Sequence, residues 1–154
     1  MTQKHFPSSL KKKVYAYILS IVNHEACLLV FEHVHTPEAG IQIPGGSVES
    51  GEHIDAAVLR EAQEETGLDN LQLVKKLGVV VRDLAEFGLA EVQERHYFQL
   101  DCMDPPGDTW ISNEETPSDG TPGPIAFRFY WVRLEDVPKL RAGLDEMLPK
   151  LLNK

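Results

Sequence analysis

Residues 46–68 read GSVESGEHIDAAVLREAQEETGL, and this stretch predicts the central helix of the fold. Its second part, residues 53–68, contains no proline and no glycine except Gly67, which predicts a helix that ends at a glycine cap. At about 100° per residue, four apolar side chains fall on one side of this helix. They are Ile54, Ala57, Val58 and Ala62. We expect that side to face the protein core.

Three glutamates of this helix lie on or beside its apolar side. Glu61 and Glu65 fall in the middle of that side, and Glu64 lies about a quarter turn away. A solvated face would lie opposite the apolar stripe, and like charges four residues apart repel by roughly 0.2–0.5 kcal/mol. Partly buried carboxylates need protons or cations, and Arg60 alone cannot balance three acids. The pattern therefore predicts a cluster of hard oxygen ligands that suits Mg²⁺ or Mn²⁺.

The tripeptide Pro44-Gly45-Gly46 leads into this stretch and ends on its first residue. Its glycines allow the backbone to bend tightly and to approach a ligand closely, and its carbonyl groups are candidate oxygen ligands. The alternative is a plain corner between a strand and a loop.

Apolar runs before and after the helix predict the strands of a sheet. Residues 14–22 and 26–34, separated by Asn23-His24-Glu25, predict a β-hairpin. Lys11-Lys12-Lys13 before the first run resembles the charged part of a signal peptide, but the run is too short to span a bilayer. We therefore expect a first core strand. Further predicted strands cover residues 41–43, 71–81, 92–100 and 126–134.

A second helix and two irregular segments complete the prediction. Residues 138–152 place leucines at helical spacing. Residues 104–124 are rich in proline and glycine and predict a long loop, and residues 1–10 predict a frayed tail. Strands on both sides of one central helix indicate a mixed α/β domain built in layers.

Size, charge and cysteine content narrow the class of protein. The chain has 154 residues with 42% hydrophobic residues, enough for one packed domain. Its net charge of −9 makes duplex DNA and anionic membranes poor partners, because both need cationic surfaces. Cys27 and Cys102 are too few for a disulfide-stapled secreted domain, so we expect a cytoplasmic protein with both thiols reduced.

The central stretch resembles a complete Nudix box, the pattern G-x5-E-x7-R-E-U-x-E-E-x-G-U in which U is apolar. The fixed positions are occupied by Gly46, Glu52, Arg60, Glu61, Glu64, Glu65 and Gly67, with Ala62 and Leu68 in the apolar positions. So many fixed residues at fixed spacing make a highly specific motif. The resemblance to the Nudix hydrolase family implies its fold, a mixed β-sheet sandwiched between α-helices, here as a single domain over residues 1–154.

The same resemblance implies an activity and a set of site residues. Nudix hydrolases cleave a diphosphate linkage in a nucleoside diphosphate joined to another moiety, and they use a divalent metal, Mg²⁺ or Mn²⁺. By analogy, Glu61, Glu64 and Glu65 would bind the metal together with the carbonyl of Gly45. Glu61 is also the position proposed as the base in some members. Arg60 and Glu52 would orient the glutamates through ion pairs, and family members are often dimers, so a homodimer is possible.

Several residues outside the box are candidates for the rest of the site, although each is more often a surface or core residue. A further acid could come from Glu91, Glu94, Glu114 or Glu115, and a phosphate contact from Arg82, Arg95 or Arg128. Trp110 either stacks on a nucleobase or pins its loop to the body of the protein. Tyr15 or Tyr17 could edge the pocket, whereas a zinc site at His33 and His35 is not expected because no further ligand lies near in sequence.

The sequence is compatible with several classes of substrate. A proline soon after the box, typical of enzymes acting on ADP-ribose, is absent, and the tyrosine typical of dinucleoside polyphosphate hydrolases is also absent. Class frequency favours a nucleoside triphosphate or a nucleotide sugar. The alternatives are a non-catalytic nucleotide sensor, which commonly loses box glutamates, and an isopentenyl-diphosphate-type isomerase, which depends on a reactive cysteine. The intact box favours the hydrolase.

Overall fold

The strands and helices follow the apolar runs of the sequence closely. A computed structural model describes residues 10–114 and 125–152. Its strands are β1 (Leu10–Val22), β2 (Glu25–His33), β3 (Gly45–Ser47), β4 (Leu71–Asp83), β5 (Val92–Cys102), β6 (Thr109–Glu114) and β7 (Ile125–Arg133). Its α-helices are α1 (Ile54–Thr66) and α2 (Leu148–Leu152).

One mixed sheet organises the described residues. The strand order is β4-β5-β1-β2-β7-β6, and β3 pairs with β1 outside this path. The β1–β5 pair is parallel, and the other pairs are antiparallel. The prediction of a mixed α/β fold is therefore confirmed. No helix in the described part of the chain has the length and apolarity to cross a bilayer.

The predicted hairpin is present, and its two strands separate after four residue pairs. Asn23 and His24 have φ angles of 51° and 69°, which match the two central positions of a type I′ turn. Pairing runs from Val22 with Glu25 to Leu19 with Leu28. Beyond that point β3 takes the place of β2 beside β1. The opposite edges of β1 and β2 pair with β5 and β7. The sheet therefore forks, and residues 42–47 lie in the fork.

The two faces of the sheet carry separate apolar clusters. On one face α1 packs through Ala57, Val58 and Ala62, as the helical spacing predicts. The other face carries Leu140, Leu144 and Leu151, which pack with Tyr17 and Tyr97. A helix therefore covers one face and the C-terminal segment covers the other.

The predicted helix over residues 138–152 is wrong in most of its length. A 3-10 turn spans Arg141–Gly143, and only Leu148–Leu152 is α-helical. Ala142 and Gly143 have φ angles of 53° and 75°, which break a right-handed helix. The leucine spacing correctly indicated a buried face, because three of these leucines are buried, but the backbone presents them without a continuous helix.

Two smaller predictions also need correction. Residues 104–124 are not all loop, since β6 pairs with β7 as an edge strand. Residues 41–43 do not form a strand; Gln42 forms an isolated bridge with Phe31. The predicted tail is described only from Leu10 onward, and residues 115–124 of the predicted loop lie outside the described residues.

Candidate active site

The helix α1 buries two of its three box glutamates. Glu61 is 6% and Glu65 9% exposed, whereas the side chain of Glu64 is 59% exposed. The helix ends at Gly67, whose φ of 80° is left-handed and whose N–H donates to the carbonyl of Gln63. The position of the carboxylates on the wheel therefore predicted their burial correctly.

Two glycines allow the backbone of β3 to lie directly against these carboxylates. A Cβ atom added to Gly46 would lie 2.2 Å from Cδ of Glu61, so any side chain there would displace this carboxylate. The N–H of Gly45 donates a hydrogen bond of 2.9 Å to Oε1 of Glu65. The backbone of Pro44-Gly45-Gly46 therefore lies close to the glutamates in addition to forming a corner.

Arg60 connects the rest of the box. Its Nε donates to Oε2 of Glu52 at 2.7 Å and its Nη2 to Oε1 of the same carboxylate at 3.0 Å, a two-pronged pair that fixes the guanidinium plane. A third bond of 3.1 Å runs from Nη2 to the carbonyl of Ser47. The remaining nitrogen, Nη1, donates to Glu61 at 3.1 Å and to Glu64 at 3.2 Å.

Arg60 contacts Glu52 and Glu61 most closely, and the pKa values of these two carboxylates are shifted in opposite directions. Hydrogen bonding from Arg60 lowers the pKa of Glu52 to about 2, so Glu52 is ionised throughout the physiological range. Burial raises the pKa of Glu61, against the opposing effect of Arg60. A further cation beside Glu61 would therefore favour its ionised form.

The donor set fits a hard divalent cation. No group of three or more His, Cys, Asp or Glu side chains in the described residues is close enough to hold a metal by itself. Mg²⁺ keeps several waters and needs only one or two carboxylates from the protein. Arg60 brings Glu61 and Glu64 to within hydrogen-bond distance of one nitrogen, so two carboxylate oxygens already converge.

A pocket of about 350 Å³ opens beside these carboxylates, in the fork between β1 and β2. Glu65, Gly45 and Gly46 line it on the side of the box. Phe31, Phe127 and Gln42 also line it. Buried acids thus adjoin a cavity with polar and aromatic walls, which is the usual form of a small-molecule site.

A model of the NUDIX domain matches residues 11–151. The chain belongs to the Nudix family. The prediction of a Nudix hydrolase made from the box is therefore confirmed at the level of the family. Comparison of the sequence with curated proteins gave no match.

Solved structures of Nudix proteins share the fold of this chain. An Ap4A hydrolase from C. elegans aligns with a TM-score of 0.65 and 18% identity, covering 93% of this chain and 96% of that one. A MutT NUDIX hydrolase from Burkholderia pseudomallei gives 0.61 and 23%, covering 94% and 99%. A UDP-X diphosphatase gives 0.61 and 21%, covering 94% and 62%. At these identities the likeness shows the fold alone.

One acid outside the Nudix box reaches the pocket. Glu91 lines it and accepts a hydrogen bond of 2.7 Å from the Gln93 side chain. Glu94 lies 2.6 Å from the ring of His96 and is not among the residues that line the pocket. The side chain of Glu114 and all of Glu115 lie outside the described residues.

Each of the three candidate arginines has carboxylate partners, and only Arg95 lines the pocket. Arg95 is 1% exposed and pairs with Glu146 at 3.0 Å. Arg82 also pairs with Glu146, at 2.6 Å, and Arg128 pairs with Glu32. Sequence reasoning missed Lys13, Gln42 and Arg141, which line the pocket. No motif marks these three residues, and the wrong helix prediction hid the turn that carries Arg141.

Of the aromatic and cysteine candidates, only Tyr15 lines the pocket. Trp110 does not line the pocket; its indole N–H donates to the carbonyl of Thr66 at 3.0 Å, which favours the pinning role. Tyr15 lines the pocket and Tyr17 does not. Burial raises the pKa of the thiols of Cys27 and Cys102, and neither is among the pocket-lining residues.

Proposed function

We propose that this Nudix protein is a Mg²⁺- or Mn²⁺-dependent hydrolase that cleaves the diphosphate linkage of a nucleoside diphosphate joined to another moiety. A nucleoside triphosphate and a nucleotide sugar are the favoured substrates. The observation that carries this proposal is the burial of Glu61 and Glu65, with Glu65 in the wall of a pocket, because buried carboxylates need a cation to stay ionised.

Four groups of the chain are the proposed ligands of the divalent ion, of which Mg²⁺ needs only one or two carboxylates at a time because it keeps several waters. They are the carboxylates of Glu61, Glu64 and Glu65 and the carbonyl of Gly45. When bound, the ion would supply a water of lowered pKa and neutralise negative charge on the phosphate oxygens. Such cations also resolve an electrostatic problem, since a polyanionic substrate must approach a protein with a net charge of −9.

The remaining residues of the box would position the ligands and move a proton. Arg60, held by Glu52, keeps Glu61 and Glu64 together. Glu61 is our candidate for the general base, because it occupies the position proposed as the base in some Nudix members and lies beside the proposed metal ligand Glu64, with which it shares Nη1 of Arg60. The Gly45 N–H holds one oxygen of Glu65 in place.

The pocket would take the nucleoside part of the substrate. It is lined on one side by box residues and elsewhere by aromatic, apolar and charged side chains, an arrangement that suits a phosphate chain joined to a base. The names of two structurally similar proteins, an Ap4A hydrolase and a UDP-X diphosphatase, refer to nucleotide substrates, and this supports the same class here. The cytoplasmic location and the homodimer stay predictions.

The alternative functions have less support. An isopentenyl-diphosphate-type isomerase would need a reactive cysteine, and both thiols of the chain are buried away from the pocket lining. A sensor that binds nucleotide without cleaving it commonly lacks box glutamates, and all three are present here.

A phosphate-release assay with Mg²⁺ and with Mn²⁺ tests the proposal. The panel contains nucleoside triphosphates, nucleotide sugars and dinucleoside polyphosphates, with pyrophosphatase and phosphatase as coupling enzymes. We expect metal-dependent release from at least one of them. Glu64→Gln and Glu65→Gln should each reduce turnover about 100-fold or more, because the metal contributes several kcal/mol to transition-state stabilisation.

The matched control is Glu135→Gln, which removes a carboxylate that is 73% exposed and should leave turnover unchanged. Equal turnover in the wild type and in both box variants would contradict the proposal. Nucleotide binding without turnover would favour the sensor, and conversion of isopentenyl diphosphate without phosphate release would favour the isomerase.

A further inference from the structure

The side-chain amide of Gln42 has an unused hydrogen-bond donor in the pocket. Its Nε2 atom is buried and has no partner among the described residues, and the residue lines the cavity. A buried donor that lacks an acceptor is destabilising. Rotation of the Gln42 side chain would present this donor to a ligand in the cavity, and an acceptor on that ligand would satisfy it.

The backbone at Gln42 is fixed, so the point from which its side chain projects is set before any ligand arrives. The N–H and carbonyl of Gln42 both bond to Phe31, at 2.9 Å each. The preceding residue, Ile41, accepts a 2.8 Å bond from the N–H of Arg141, and the following residue, Ile43, is 2% exposed. Ligand binding therefore has to order only the side-chain torsions of Gln42, and not its backbone.

The walls around Gln42 suit a flat apolar ring. Phe31 and Phe127 lie with their ring centroids 4.9 Å apart, and further apolar lining comes from Ile43, Leu89 and Ile125. Gln42 and Gly45 are three positions apart in the sequence, which is at most about 10 Å of extended chain. A single nucleotide can therefore place its base at Gln42 and its phosphates at the box.

We propose that Gln42 is a specificity-determining residue whose amide N–H donates to an exocyclic oxygen of the nucleobase. The pocket then prefers bases with an oxo group at this edge, 4-oxopyrimidines or 6-oxopurines, over their amino counterparts. This inference rests on the proposed function for the placement of the phosphates.

The preference follows from donor and acceptor chemistry. An oxo group accepts the amide N–H, whereas an amino group at the same position is itself a donor and leaves two donors facing each other. A site built around a hydrogen bond rejects the analogue that cannot form it, because the buried group then stays unpaired. The corresponding discrimination is about 5- to 150-fold.

The test compares substrates that differ at one exocyclic position. The kcat/KM values for UTP against CTP, and for ITP against ATP, are measured in the wild type and in Gln42→Glu and Gln42→Leu. The wild type should favour the oxo member of at least one pair by about tenfold. Gln42→Glu, which offers only acceptors, should reverse that preference, and Gln42→Leu should abolish it. Gln72→Glu, an exposed site on β4, controls for the added charge.

The outcomes separate this inference from the proposed function. Hydrolysis with no oxo preference, or with a preference that survives both Gln42 variants, overturns the inference and leaves the hydrolase intact. If no nucleotide is hydrolysed, calorimetric binding of UMP, CMP, IMP and AMP to the same proteins replaces the rates. Equal binding within each pair, or no binding of any of the four, then overturns the inference as well. Thermal unfolding checks that each variant is folded. If Gln42→Glu does not fold, the result for Gln42→Leu decides the test.

Discussion

Arg60 is the residue on which the geometry of the box depends. Its guanidinium donates to one carboxylate through two nitrogens, to a backbone carbonyl, and to two further carboxylates. A flat fork with several donors is required for this, because a lysine ammonium cannot pair with Glu52 through two parallel bonds. The box motif therefore specifies arginine for a geometric reason as well as for its charge.

Replacing Arg60 with lysine should separate geometry from charge. We expect Arg60→Lys to lower metal-dependent turnover by about 10- to 100-fold, the usual effect of losing a group that orients metal ligands. The measurement is kcat/KM with the best substrate of the panel. The control is Arg133→Lys, an exposed arginine whose ion pairs contribute little and whose loss should leave kcat/KM unchanged. Equal effects of the two substitutions would show that Arg60 acts through charge alone.

The absence of a side chain at Gly46 is equally specific. Because an added Cβ would lie 2.2 Å from Cδ of Glu61, Gly46→Ala should displace that carboxylate, reduce stability by about 1–3 kcal/mol and abolish turnover. Chemical denaturation and the hydrolysis assay check both effects. Gly51→Ala is the control: nothing lies within 4 Å of its Cβ, but its φ of 78° costs about 1–2 kcal/mol of strain. It should lose stability and keep its activity; wild-type turnover in Gly46→Ala would refute the close approach.

At the scale of elements, α1 and the hairpin were predictable because local signals and tertiary packing agree there. The apolar stripe of α1 is the buried stripe, and Gly67 ends the helix as a glycine should. The C-terminal segment was not predictable, because Ala142 takes a left-handed conformation that its residue type does not indicate. The pocket was missed for a similar reason: it depends on the fork between β1 and β2, which results from pairing between distant segments.

Trp110 attaches the edge strand β6 to the end of α1. Its indole donates to the carbonyl of Thr66 at the end of α1, and its ring stacks on Phe129 at 5.5 Å. Trp110→Phe keeps the stacking and removes the hydrogen bond, so it should lower the free energy of unfolding by about 0.5–1.5 kcal/mol. Because Trp110 lies outside the pocket, KM should not change. A rise in KM with unchanged stability would instead favour stacking on a nucleobase.

At the scale of the whole molecule, a polar network joins the pocket to the C-terminal segment. Gln93 accepts from Tyr15 at 3.0 Å and from Arg95 at 2.8 Å. Arg95 in turn donates to Glu146 at 3.0 Å, and Glu146 also accepts from Tyr97 at 2.5 Å. The network neutralises a buried arginine and fixes the segment that carries one wall of the pocket.

This network predicts how stability depends on pH. Burial favours the neutral form of Glu146, but hydrogen bonds from Tyr97, Arg95 and Arg82 outweigh it, so the pKa of Glu146 in the folded protein lies below its ordinary 4.5. The unfolded chain therefore takes up this proton more readily. The stabilisation is present above pH 4.5 and is lost as the pH falls through the lowered pKa.

The variant Glu146→Gln should lack this part of the acid sensitivity. It should also be less stable near neutral pH, by up to about 3–5 kcal/mol, because Arg95 stays buried without its partner. Urea denaturation of the wild type and the variant from pH 3 to 7 gives the difference, with Glu135→Gln as an exposed control. A difference that does not shrink toward low pH would contradict this account.

In the proposed function the glutamates of α1 bind a divalent cation, and a titration with Mn²⁺ measures that binding. The free ion is followed by electron paramagnetic resonance during titration of the wild type, Glu61→Gln and Glu64→Gln in the presence of a nucleoside monophosphate. The account predicts that the wild type takes up Mn²⁺ and that each substitution weakens uptake by tenfold or more, since each removes a charged ligand. Uptake that is equal in all three proteins, or absent from the folded wild type, would contradict it.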